Sequence, residues 1–168
     1  MNESLREPLR HSAWATRRLL AFCRDLDEDQ LAATAPGAFG SLLATLRHTV
    51  TSEGGYREAL TGALPDWGWR PDESPGLDVL VERAEDSARF WESFLERPFD
   101  PDRVCTRQGP RGIQEATAGV VLTQVLVHAC EHRGQACSII TALGKEPPDL
   151  QAWAYAREVG LARFTAAT

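Results

Sequence analysis

The chain has 168 residues, 43% of them hydrophobic and 25% charged, with a formal net charge of −6 and a pI near 5.2. Length and composition suit one domain spanning 1–168 with a substantial core. Eighteen Lys and Arg stand against 24 Asp and Glu, Lys145 is the sole lysine and no basic run occurs, so a nucleic-acid partner is not expected. The start, MNESLREPLRHS, has no apolar signal-like core, and no stretch is long and apolar enough to span a membrane. Cys23, Cys105, Cys130 and Cys137 form no CxxC pair and no disulfide-framework spacing, which points to free thiols and a cytoplasmic location.

Residues 4–25 are predicted as a first helix. Leu5, Leu9, Ala13, Thr16 and Leu20 recur at helical spacing, with arginines off that stripe. His11 lies away from the stripe and is expected at or near the surface. Asp27 with Gln30 three residues on makes a capping pair for a short turn ending near Pro36 and Gly37. Ser41 caps a second long helix that runs to about Leu60, with Gly62 beyond it. Leu42, Leu43, Leu46, Thr49 and Val50 give that helix its packing surface. The stripe containing His48 is small instead: Ser41, Ala44, Ser52, Gly55 and Ala59. Such a stripe either lets two helices approach closely or leaves room beside His48 for a metal and its ligand, and spacing does not choose between them.

Leu64–Pro75 is a turn-rich connector holding Trp67 and Trp69, which are expected to cover the edge of the core. About a dozen residues is long for an antiparallel hairpin and suits a crossover between parallel neighbours. Gly76–Arg97 is a third helix with a clean apolar stripe that includes Leu80, Ala84, Trp91 and Leu95. In the loop Pro98–Glu115, Val104-Cys-Thr and Ile113-Gln-Glu flank a Gly-Pro-Arg-Gly turn, the pattern of a small β-hairpin. After Lys145-Glu-Pro-Pro, Asp149 is read as the N-cap of a closing helix, Leu150–Phe164.

The most informative stretch is Thr117–Leu143, TAGVVLTQVLVHACEHRGQACSIITAL, which has no proline and is followed by Gly144 as a stop. Val120, Val121, Leu122, Val125, Leu126 and Val127 leave almost no polar face, so its first half is expected to be buried. His128 and His132 lie about 40° apart on one helical face, with Gln135 on the same stripe and Glu131 at its edge. Two desolvated imidazoles one turn apart need partners, and a shared divalent metal supplies one. Adding His48 from another helix gives three neutral nitrogen donors and leaves a coordination position open to water or substrate. Cys130 and Cys137 point away from that face. His128-Ala-Cys-Glu131-His132 also reads as the H-x-x-E-H zinc-peptidase pattern, with Glu131 as general base. That reading needs a third ligand from a later helix and a substrate-cleft domain, and the 36 residues after His132 scarcely provide them.

Trp14-Ala, then Gly37-Ala-Phe-Gly-Ser41 leading into Leu46-Arg-His48, and His128-x-x-Glu-His132-Arg-Gly-Gln135 occur in that order, followed by Leu143-Gly-x-x-Pro-Pro-Asp149-Leu. Together they resemble the DinB/YfiT-like superfamily of metal-dependent enzymes, the DNA-damage-inducible family that is distinct from the similarly named polymerase. The resemblance covers nearly the whole chain. It implies an all-α, four-helix bundle in up-down-down-up order, with a long crossover between helices two and three and a short C-terminal helix. It also implies a divalent metal, zinc or nickel, held by His48, His128 and His132, frequently in a homodimer, with Glu131 either supporting a ligand or packing nearby rather than binding the ion. Relatives include thiol S-transferases and thiol-dependent isomerases, so a small-molecule substrate or a low-molecular-weight thiol is the implied partner. The leading expectation is a metal-dependent hydrolase or thiol-dependent S-transferase. The alternative is a non-catalytic metal- or small-ligand-binding protein of the stress response.

Overall fold

The computed structural model describes residues 3–68, 70, 73–109, 112–163 and 165. They form α1 (Glu3–Cys23), α2 (Glu28–Ala32), α3 (Leu42–Thr61), α4 (Leu77–Leu95), β1 (Val104–Gly109), β2 (Gly112–Thr117), α5 (Ala118–Ala142) and α6 (Ala152–Glu158). The architecture is mostly helical, with one antiparallel hairpin in which Val104 pairs with Thr117 and Gly109 with Gly112. α1 and α3 each pack against both α4 and α5, which closes a ring of contacts among the four long helices.

Local signals set the element ends. The Asp27 side chain accepts from Gln30 N while the Gln30 side chain accepts from Asp27 N, the reciprocal pair that starts α2. Ser41 Oγ accepts from Ala44 N to open α3, and Gly62 closes it in the left-handed region at φ 77°. α5 begins straight out of β2, and its first N–H groups are satisfied by the preceding loop: Ala118 donates to Arg103 O at 2.8 Å and Gly119 to Pro101 O at 2.9 Å. Arg103 also donates to Leu60 O at 2.6 Å, tying the end of α3 to the start of α5.

The interior is layered. One apolar cluster gathers Leu19, Leu20, Leu42, Leu46, Leu80 and Ile139, and another gathers Leu9, Tyr56, Trp91, Phe94, Leu122 and Val125. Between them every long helix turns polar at the same level. Ser12 and Thr16 lie between Leu9 and Leu19 on α1, and Ser87 between Ala84 and Trp91 on α4. Thr49 and Glu53 fall there on α3, and His128, His132 and Arg133 on α5. Arg133 is 5% exposed, and its Nη1 donates to Ser12 O, Ser12 Oγ and Thr16 Oγ1 at 3.0–3.2 Å. Buried charge persists only when it is hydrogen-bonded in this way.

Three sequence expectations change. The first half of α5 is not wholly buried: Val120 is 58% and Val127 45% exposed, because α1, α3 and the hairpin cover only one side of the helix. The closing helix is shorter than Leu150–Phe164, ending at Glu158 before Gly160 at φ 79° turns the chain; Phe164 lies outside the described residues. Asp149 is not its N-cap, a position Gln151 holds; the Asp149 carboxylate accepts from Gln151 N at 3.0 Å and pairs with Arg157. α6 docks on α1 through Trp14 Nε1 to Glu158 and Tyr155 Oη to Glu7. Trp67 covers the α3–α4 junction as expected, its ring against Gly54 and its Nε1 donating to Asp86; Trp69 is outside the described residues.

Trp91 is 3% exposed and joins the two α3–α4 layers by donating from Nε1 to Glu53 at 2.9 Å. Trp91→Ala should cost about 3–5 kcal/mol in chemical denaturation. A loss below about 1 kcal/mol would contradict its place in the core. Burial holds the Glu53 carboxyl above the usual range, against the opposing pull of Trp91, Ser87, Arg133 and Arg57. The folded chain thus keeps this proton more tightly than the unfolded one. The stability it contributes is full below the unfolded pKa of about 4.3 and is lost as pH rises through the folded value. Glu53→Gln keeps an acceptor for Trp91, so it should stabilise the protein near neutral pH and lose that advantage at about pH 4. Equal effects at both pH values would contradict the raised pKa.

Candidate metal centre

The side-by-side packing of α3 and α5 brings together histidines 80 residues apart in the chain. His128 and His132 project from successive turns of α5 with 8% and 9% exposure, and His48 meets them, half-buried, from α3. The Nε2 atoms of His48 and His128 are 3.0 Å apart, and one ring nitrogen from each of the three histidines lies within 4.8 Å of the others. A tetrahedral ion with bonds of about 2.0–2.1 Å spaces its ligand atoms about 3.3 Å apart, so the cluster has the right dimensions. Among the described residues no Asp, Glu or Cys joins it.

Metal binding needs neutral imidazoles, and this environment favours that form at His128 and His48. Burial pushes His128 down to about 4, helped by His132, His48 and the guanidinium of Arg107. Burial and then His132 also lower His48. Orientation is fixed by groups around the rings. His132 Nδ1 lies 2.8 Å from Gln135 Oε1, which also accepts from Phe39 N at 3.1 Å. With Gln135 accepting, His132 carries its proton on Nδ1 and turns the lone pair of Nε2 inward. The Phe39 ring stacks on His48 at 4.0 Å and meets His132 edge-on at 5.4 Å. Tyr56 closes the other side, its ring 5.6 Å from His128.

The three histidines expected to converge do so, and Cys130 and Cys137 stay outside the cluster, as their helical angles required. His11 lies elsewhere, bonded through Nε2 to Leu150 O and packed near Trp14 and Tyr155. Glu131 is exposed on the outer side of α5 and takes no part in the cluster. The third histidine comes from an earlier helix, whereas the H-x-x-E-H peptidase reading requires a later one. Phe39, Tyr56 and Arg107 were not identified as site residues from periodicity. Phe39 stood in the Gly37-Ala-Phe-Gly-Ser41 string, but nothing in its spacing said that its ring would cover His48.

The arrangement has a counterpart in a described family: the model of the DinB family matches residues 1–160. The chain belongs to the DinB family. No curated protein matches it. Within this DinB chain the string His128-x-x-x-His132-Arg133-Gly134-Gln135 acquires a physical meaning residue by residue. Two histidines face α3, Arg133 fastens α5 to α1, and Gln135 orients His132. Gly134 is exposed with open space around it, and nothing in the structure explains it.

In metal-free protein, His128 should titrate near pH 4 by NMR. Because its folded pKa lies below the unfolded value of about 6.5, its contribution to stability is full above pH 6.5 and declines as pH falls toward 4. A midpoint at or above 6.5 would show that the ring is not desolvated.

Proposed function

We propose that this protein is a metal-dependent enzyme acting on a small molecule, with a divalent cation, zinc or nickel, held by His48, His128 and His132. The observation that carries the reading is the convergence of three desolvated imidazoles with no further protein ligand among the described residues. Catalytic metal sites keep three protein ligands and an open position, whereas structural sites are closed by four. When bound, a divalent ion in such a position supplies Lewis acidity toward a water or thiol near neutral pH. The reaction is accordingly a hydrolysis or a thiol-dependent S-transfer. The chain's own residues orient the ligands: Gln135 holds the His132 tautomer, while Phe39 stacks on His48 and Tyr56 packs edge-on against His128.

The same reading extends to architecture and setting. The ring of helix contacts and the long α3–α4 connector support an up-down-down-up four-helix bundle, one domain over 1–168. The exposed Val127 on the outer face of α5 supports a homodimer formed through that face. No described helix is long and apolar enough to cross a membrane. Free cysteines and an acidic surface favour a cytoplasmic protein without nucleic-acid partners.

Elemental analysis of protein purified without a histidine tag should find close to one divalent ion per chain. His48→Ala, His128→Ala and His132→Ala should each lower metal affinity by orders of magnitude while the circular-dichroism spectrum persists, since core area supplies most of the stability. Gln135→Ala should weaken affinity about 10–100-fold, and His11→Ala should leave it unchanged. Stoichiometric metal in His48→Ala would overturn the site. Screening the loaded protein with ester substrates and with thiol–electrophile pairs then separates hydrolysis from S-transfer.

A further inference from the structure

One helical turn from His128, toward the hairpin, lies a cavity of about 290 Å³. Its walls include Tyr56 from α3, Cys105 and Arg107 from β1, Ala116 from β2, and Val121 and Gln124 from α5. Tyr56 belongs to both places, lining the cavity and lying against the His128 ring. The volume is at the low end for small-molecule sites. The wall divides between apolar Ala59, Ala116, Val120 and Val121 and polar Gln114 and Gln124; among the described residues no acid lines it and Arg107 is its one cation.

The position of Arg107 is built into α3. A β-carbon at Gly55 would stand 2.9 Å from Nη2 of Arg107, so the guanidinium rests directly against the helix backbone. It also lies 5.9 Å from the Tyr56 ring centre, and its charge is felt at Tyr56 and at His128. The whole chain carries a net charge of −6, so its overall field disfavours an anion. The attraction of Arg107 for an anion is local.

We infer that this cavity is a subsite for the carboxylate of a small amphiphilic organic acid. Arg107 pairs with the carboxylate, Gln124 hydrogen-bonds it, and the apolar wall takes the adjoining carbon chain. A guanidinium matches a carboxylate in a two-point contact and balances one negative charge. A phosphate dianion would need more cationic or N–H groups than these walls offer. Gln124 and His128 are one turn apart, about 6 Å along the helix, so the far end of a short acid reaches the histidines. That this acid is the substrate rests on the three-histidine reading; that the cavity binds it does not.

The test is an NMR titration of the intact protein, metal-loaded and chelator-treated, with hexanoate, hexanol and hexylamine. Hexanoate should bind with a Kd at least tenfold below that of hexanol, shifting Tyr56 and Gln124 signals, and hexylamine should not bind. Arg107→Met should weaken hexanoate at least tenfold, and Arg107→Lys should recover part of the loss. Gly55→Ala, which displaces the guanidinium without removing it, gives the same direction if Arg107→Met does not fold. His11→Ala should leave hexanoate binding unchanged. Equal affinity for hexanoate and hexanol, or an unaffected Arg107→Met, overturns the subsite. So does loss of binding in His48→Ala, which would place the carboxylate at the histidines. A wild-type protein that takes no metal but still binds hexanoate through Arg107 defeats the metal reading and leaves the subsite standing.

Discussion

The structure depends on the cost of placing polar groups at mid-height in an otherwise apolar helical core. Arg133 brings a charge there and is sustained by three acceptors from α1; Glu53 brings a carboxyl and is sustained by Trp91. Replacing this layer with leucines would satisfy packing equally well, so hydrophobic burial does not account for it. Its effect is to fix register. α1 and α5 meet where Ser12 and Thr16 reach Arg133, and α3 and α4 where Glu53 reaches Trp91. Once both pairs are in register, His48 and His128 stand opposite each other.

The imidazoles are strained in an electrostatic sense. Each of His48 and His128 loses hydration on folding, and both sit beside rings that would repel them if charged. Phe39 and Gln135 act on the rings differently, one stacking on His48 and the other directing the His132 proton away from the centre. The backbone N–H of Phe39 and the ring N–H of His132 converge on one amide oxygen, so the 36–40 loop and α5 hold each other in place.

Much of this was legible in the chain. Ser41, Asp27 and Gly62 announced their helix ends because caps are local chemistry, read within three or four residues. The His128–His132 pair was legible because helical periodicity is also local. His48 was harder: apart from the family resemblance, its small-residue stripe was the one mark, and the stripe proved to serve partly for seating Arg107 at Gly55. Phe39, Tyr56 and Arg107 were missed because their roles depend on which elements pack together. The exposure of Val120 and Val127 was missed for a related reason, since composition reports how apolar a helix is and not how many neighbours it has. Asp149 was a sound cap by residue type, but the helix starts later, at Ala152.

The hairpin has a consequence for how such a protein can diversify. Cys105, Arg107 and Ala116 alternate along two strands, so their neighbours in sequence face elsewhere. The wall that would choose a ligand is therefore written in a few every-other positions of a surface ribbon, whereas the three histidines are written in helices that also carry the core. Substitutions in the ribbon can change what is recognised and leave register and histidine geometry alone. The reverse does not hold, since a change at Tyr56 disturbs both. Selectivity and chemistry are inherited on separate segments that meet at one residue of α3.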